Sequence, residues 1–173
     1  MSTLVVYKTK YGSTKQYAEW IAEELGAEII AMEKVTPATL STHDAVVLGG
    51  YLHIGKIMGA EFLQNNWNIL KDKKVALFTV AGAPATSPDR EKWFAECVPA
   101  NIRERVRHFP FQGRAMNLDW KDNFLMLFPK FAEKFAYWQN PTPQNQRAKE
   151  GFKSFDGVKR EYIAPLVAYM RSQ

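Results

Sequence analysis

Apolar positions in this chain follow two alternating periods. Short continuous runs occur at Leu4-Val5-Val6-Tyr7, Ala27 to Met32, Asp44-Ala45-Val46-Val47-Leu48-Gly49-Gly50 and Lys74 to Val80. Their β-branched and aromatic content is that of strands buried on both faces of a parallel sheet. Between them the spacing becomes helical. Tyr17, Trp20, Ile21 and Leu25 form a stripe from Lys15 to Leu25, with Gly26 placed to end the helix. Lys34 to His43 reads as a connector containing Pro37, and Ala60 to Leu70 as a second helix. Ser87-Pro88-Asp89-Arg90-Glu91 predicts a third helix start, with Ser at the N-cap, Pro at the first helical position and acids in the first turn, and Pro99 interrupts that helix. Arg107 to Met116 predicts a fifth strand, which Pro110 assigns to a sheet edge. A last helix is expected from about Asp156 to Met170, with Val158, Tyr162, Ile163, Leu166, Val167 and Met170 on one stripe and a kink at Pro165.

Strands that alternate with helices imply right-handed crossovers and a parallel sheet covered on both faces. The expected fold class is α/β, a doubly wound five-stranded parallel sheet of order 2-1-3-4-5. Residues 1–173 then form a single domain, with an insert at about 117–152 between the fifth strand and the last helix. Ligands of such sheets sit outside the carboxyl ends of the strands, at the switch point. Three loops therefore converge there: 9–14, 50–55 and 81–86.

The first loop, Thr9-Lys10-Tyr11-Gly12-Ser13-Thr14, joins a strand directly to a helix. Backbone N–H groups and hydroxyls meet there at the positive end of the helix dipole, which makes an anion site. The chain has neither G-x-x-x-x-G-K-[ST] nor G-x-G-x-x-G, so P-loop and dinucleotide chemistry both lose their fingerprint. Thr-x-Tyr-Gly-x-Thr resembles the flavodoxin phosphate loop Thr-x-Thr-Gly-x-Thr, in which hydroxyls and amides alone hold the phosphate of FMN. Tyr11 stands at the middle threonine of that pattern. An ordinary β-α turn rich in Ser and Thr is the other reading of these six residues.

The resemblance assigns the flavin ring to the other two loops. Gly50, Tyr51, Leu52, His53, Ile54 and Gly55 would border it on one side and Ala81, Gly82 and Ala83 on the other, with Gly49, Gly50, Gly55 and Gly82 allowing close backbone approach. No catalytic side chain is singled out, since the flavin would carry the electrons, and no metal site is expected.

Composition narrows the setting. The chain has 173 residues, 46% of them apolar, enough for one domain with a sizeable core. Cys97 is its single cysteine, so no intrachain disulfide forms. The N-terminal residues lack a signal-peptide pattern and no apolar stretch reaches the length of a membrane span, so the expected location is cytoplasmic. Residues 1–60 carry 5 Lys/Arg and 6 Asp/Glu, net −1, against 18 and 12, net +6, for residues 61–173. Arg103, Arg105, Arg107 and Arg114 form a basic cluster that either faces an acidic ligand or anionic surface or is a solvated helix face.

The insert is patterned as well. Phe124, Leu127, Phe128, Phe131, Ala132 and Phe135 recur at helical spacing, widened by Trp120, Leu125, Met126, Tyr137 and Trp138, while Lys121, Lys130 and Lys134 interleave with Asp119, Asp122 and Glu133. This predicts an amphipathic helix that either closes the core or leaves an apolar face beside the flavin, as a lid or as an interfacial helix. Gln139 to Glu150 is polar and proline-containing and reads as a return loop.

Val47-Leu48-Gly49-Gly50-Tyr51-Leu52-His53-Ile54-Gly55, Phe111-Gln112-Gly113-Arg114 and the basic, aromatic insert together resemble the menaquinone-dependent protoporphyrinogen dehydrogenases, a flavodoxin-like family. The resemblance implies an FMN-dependent oxidoreductase that moves electrons between an apolar substrate, a tetrapyrrole or quinone, and an electron-transport partner. It also implies peripheral contact with the inner face of the membrane through 119–138. The chain departs from that family at His53, where a basic arginine-like residue is expected, and at Met116-Asn117-Leu118, where the family's insert starts Tyr-rich. A flavodoxin-type carrier that shuttles between redox protein partners is the alternative. A nucleic-acid or membrane-surface module on the same fold is a weaker third reading, and no nucleic-acid partner is expected.

Overall fold

The computed structural model describes residues 2–115 and 155–172. Five parallel strands build its sheet: β1 (Thr3–Tyr7), β2 (Glu28–Ala31), β3 (Ala45–His53), β5 (Lys74–Ala81) and β6 (Val106–Gln112). Their order is β2-β1-β3-β5-β6, the doubly wound arrangement expected, with a short strand β4 (Lys56–Met58) antiparallel to the end of β3.

The continuous apolar runs have a direct structural reason. Successive side chains of a strand point to opposite faces, and both faces are buried here. Leu4, Val6, Val46, Leu48, Val75 and Leu77 lie in one core. There they meet Leu40 of α2 (Pro37–Ser41), Leu63 of α3 (Ala60–Asn65), Leu70 of α4 (Trp67–Leu70), Phe94 of α5 (Asp89–Cys97) and Ile102 of α6 (Ala100–Arg103). Their neighbours Val5, Ala45, Val47, Ala76 and Phe78 lie in the other core, with Tyr17, Ala18 and Ile21 of α1 (Ser13–Leu25) and Leu166, Val167 and Met170 of α7 (Ala164–Arg171).

Several elements differ from the sequence expectation, each for a local reason. The connector at 34–43 contains helix α2, started by Thr36, whose hydroxyl accepts the Thr39 N–H at 3.2 Å, and by Pro37 at the first helical position. The helix expected over 60–70 is two short helices, divided at Asn66 with φ −107°. Ser87 does not cap α5 with its side chain: Pro88 is the N-cap, and the Ser87 carbonyl accepts the Arg90 N–H at 3.1 Å. Pro165 starts α7 rather than kinking a longer helix, because a 3-10 turn at Arg160–Ile163 leads into it and proline fits the first helical turn. The fifth strand ends at Gln112.

Residues 114–156 separate from the rest as a second unit. Its described residues form an antiparallel ribbon of β7 (Arg114–Ala115) and β8 (Phe155–Asp156), with Arg114 Nε 3.4 Å from Asp156 Oδ2. The amphipathic helix expected at 124–135 and the return loop at 139–150 lie outside the described residues.

Candidate functional site

The register of the sheet brings the predicted loops to one end. Tyr7 is level with Gly49, Gly49 with Phe78, and Phe78 with Phe109, and the Lys8 N–H extends the pairing by donating to the Gly49 carbonyl at 2.8 Å. Residues 9–14, the end of β3 and residues 81–86 therefore all emerge at the carboxyl edge of β1, β3 and β5.

The first loop turns into α1 through Gly12, the helix N-cap, at φ 84°. Among the described residues a Cβ at Gly12 would meet nothing within 4 Å, and the left-handed backbone calls for glycine there. The Thr9 hydroxyl accepts the Gly12 N–H at 3.0 Å and the Gly12 carbonyl accepts the Gln16 N–H at 2.9 Å, which fixes the turn. Ser13 and Thr14 are 7% and 1% exposed. Lys10 is exposed, with its ammonium 5.2 Å from the centre of the half-buried Tyr11 ring. The first turn of α1 holds no acidic residue. Amides, hydroxyls and the N-terminus of a helix fit a phosphate by the chemistry of the donor set.

Residues Gly50 to Gly55 do not form the open loop expected of them. Strand β3 runs on to His53, with Gly50 level with Thr79 and Tyr51 level with Val80, and then turns back as a hairpin through Ile54 at φ 49° and Gly55 at φ 71°. Two consecutive positive φ values make the tight turn whose twist suits paired strands. Tyr51, Leu52 and His53 pair with Met58, Ile57 and Lys56. Leu52 packs on the core that also holds Leu63 of α3, and the rings of Tyr51 and His53 lie 6.4 Å apart on the other side of the ribbon. Ile54 at the tip is 71% exposed.

The glycines of this strand also have a different role from the one predicted. A Cβ on Gly49 would lie 2.2 Å from Phe78 Cζ, and one on Gly50 would lie 2.2 Å from the Met58 carbonyl oxygen. Both make room for the protein's own interior, an aromatic ring on one face and the hairpin backbone on the other.

The third loop is tied to the edge strand. The Ala81 carbonyl accepts the Gly113 N–H at 2.7 Å, and the Ser87 N–H donates to the Pro84 carbonyl at 3.1 Å. Arg90, 2% exposed, reaches the same loop from α5: Nη2 donates to the Ala83 carbonyl at 3.1 Å and to the Phe111 carbonyl at 2.5 Å, and Nε to the Pro84 carbonyl at 3.4 Å. Burial lowers its pKa to about 10, and the guanidinium stays charged at neutral pH. Beside it, His108 accepts or donates through Nε2 to the Thr79 hydroxyl at 2.8 Å and through Nδ1 to Glu91 at 3.1 Å, stacked on Phe94 with centroids 4.3 Å apart. Reading the sequence did not single out Arg90, because an arginine in an acidic first helical turn has the signature of a solvated residue.

Next to the hairpin, a cleft of about 630 Å³ is lined by Lys8, Glu33, Lys56, Phe62, Glu96 and Cys97 among others. It shares no residue with the three predicted loops. The arginine cluster is not a helix face: α6 ends at Arg103, Arg105 follows it in a turn, Arg107 lies on β6, and Arg114 pairs with Asp156 in the second unit.

Comparison with known proteins agrees with this architecture. Residues 4–134 match the family model described as Flavodoxin domain. A protein of Methanocaldococcus jannaschii that is itself uncharacterised is 31% identical over 85 residues, 49% of this chain and 57% of that protein. The chain thus spans little more than half the length of this curated relative. Among solved structures, oxidised Flavodoxin 2 from Bacillus cereus is 21% identical, covering 78% of this chain and 99% of that one with a TM-score of 0.48. A flavodoxin from the domain Archaea is 19% identical, covering 65% and 85% with a TM-score of 0.46. On the family match over 4–134, with the sheet order and the phosphate-type cradle already described, the chain belongs to the flavodoxin domain family and its cofactor is FMN.

Proposed function

We propose that this protein is an FMN-dependent oxidoreductase in which Thr9 to Thr14 hold the cofactor phosphate and the β3–β4 hairpin and the 81–86 loop border its ring. The cradle at the start of α1 carries the proposal: it offers an anion amides and hydroxyls at a helix N-terminus whose first turn holds no acidic residue. Bound FMN supplies the redox chemistry, and the chain's part is to bind and orient it. Within the hairpin, Tyr51 and His53 share the side of the ribbon that faces away from Leu52 and the core, and so are the side chains offered to a flat ring.

The enzymatic reading, electron transfer between an apolar tetrapyrrole or quinone and an electron-transport partner, is favoured over a pure carrier by two features. One is the separate unit at 114–156, which a five-stranded domain does not need and whose sequence is rich in aromatic residues. The other is a calculated pI near 9.3, where flavodoxin-type carriers are typically acidic. On this reading the 119–138 segment contacts the membrane from its inner face.

A visible spectrum after adding FMN tests the cofactor site, and an unchanged free-flavin spectrum would sink the whole proposal. With flavin bound, turnover of a small quinone separates enzyme from carrier, and protoporphyrinogen oxidation tests the finer assignment. Flavin binding without either turnover leaves the carrier.

A further inference from the structure

We propose that Arg90 is the positioning residue of the loop bordering the flavin ring: its guanidinium holds the carbonyls of Ala83 and Pro84 to the carbonyl of Phe111 on the edge strand, and among the described residues its charge has no carboxylate partner behind that loop. The inference rests on the reading of residues 81–86 as the ring-side loop.

A guanidinium has five N–H donors in a rigid fork and cannot shed its charge at neutral pH, so burying it is costly unless the donors are used. At Arg90 the donors go to backbone. Nη2 bridges Ala83 and Phe111, Nε reaches Pro84, and Nη1 is buried without a hydrogen-bond partner. Among the described residues no carboxylate pairs with it; neighbouring Glu91 is engaged by His108. A residue kept only for helix α5 would not be carried inward to three carbonyls of two other segments. The three acceptors belong to the chain just beyond β5 and to the end of β6, so Arg90 closes the loop onto the sheet much as a strand pair would.

Two consequences distinguish this role. The loop is set before the cofactor arrives, so loosening it weakens ring binding whether or not a phosphate is present. The fixed positive charge favours the more negative, reduced cofactor over the oxidised one.

The test compares wild type with Arg90→Lys and Arg90→Gln, titrating each with FMN and with riboflavin, which lacks the phosphate, and measuring the two-electron potential of bound FMN. Both variants should lose affinity for FMN and riboflavin by about the same factor, on the order of tenfold, as expected when charge-assisted hydrogen bonds to the loop go. Arg90→Lys keeps the charge and should hold the potential, whereas Arg90→Gln should lower it. Each tenfold preferential loss of reduced FMN corresponds to about 30 mV. Affinities within twofold of wild type in folded variants overturn the inference and leave the flavin reading intact. A wild type that binds neither flavin overturns both. If the variants fold poorly, the wild-type Nε–H resonance of Arg90, assigned from the backbone, decides: it should be protected from exchange and shift on adding riboflavin, and an unmoved resonance counts against the role.

Discussion

The Tyr17 hydroxyl donates to the Gln112 carbonyl at 2.7 Å and accepts the Lys159 N–H at 3.2 Å, so one side chain of α1 joins the place where the chain leaves the sheet to the place where it returns. The ring itself packs on Phe111 with centroids 4.9 Å apart and is fully buried. Tyr17→Phe keeps that packing and removes only the hydroxyl, leaving a carbonyl and an amide to find new partners. Urea unfolding should show a loss of about 1–3 kcal/mol. A loss below about 0.5 kcal/mol would mean that water replaces the hydroxyl at this junction.

The same junction is closed at the backbone, where Gly157 N–H donates to the Gly113 carbonyl at 3.1 Å. The ends of the intervening unit are therefore already together, and the loop-closure cost of a short bridge is small. Replacing residues 114–156 with a few Gly and Ser residues should leave a cooperatively folding domain that still gains a flavin spectrum with FMN. On the enzymatic reading it should lose quinone turnover. Failure of the shortened chain to fold would show that the sheet depends on the second unit.

Gly49→Ala would place a methyl 2.2 Å from the end of the buried Phe78 ring. Overpacking of this kind costs about 1–3 kcal/mol. Because the clash is with one side chain, Phe78→Leu in the same protein should return part of it. A double-mutant cycle reads that coupling directly, and additive effects would rule out the contact as the cause.

His108 predicts a dependence on pH. Burial holds its pKa below the ordinary 6.5, with the positive charge of Arg90 pushing the same way and Glu91 opposing. The unfolded chain thus binds the proton first as pH falls, so stability is fully present above about 6.5 and is lost as pH drops through the folded value. Unfolding free energies at pH 7.5 and 5.5 should differ in that direction, and His108→Gln should flatten the difference. An equal slope in the variant would assign the effect to other groups.

How much of this was legible beforehand depends on the range of the interaction. The runs at Leu4 to Tyr7, Ala45 to Leu48 and Val75 to Val80 needed only local pattern, because a strand with two buried faces is apolar at every position. Pro110 gave the edge of the sheet from a single residue, because a proline has no N–H for a second ladder. The hairpin at 51–58 was not legible, since Ile54 adopts a positive φ that its side chain does not advertise. Gly49 and Gly50 look alike whether they admit a ligand or a phenyl ring, and only the register with Phe78 tells them apart. Arg90 was missed because its three acceptors are backbone carbonyls, which have no residue type to read.

Among the described residues strand β6 is last in the sheet order, and its Pro110 has no N–H to offer along the outer side. A second copy of the chain that approached that edge would find the ladder of donors interrupted midway along the strand. The residue that ends the sheet on this side thus also discourages its continuation into a polymer.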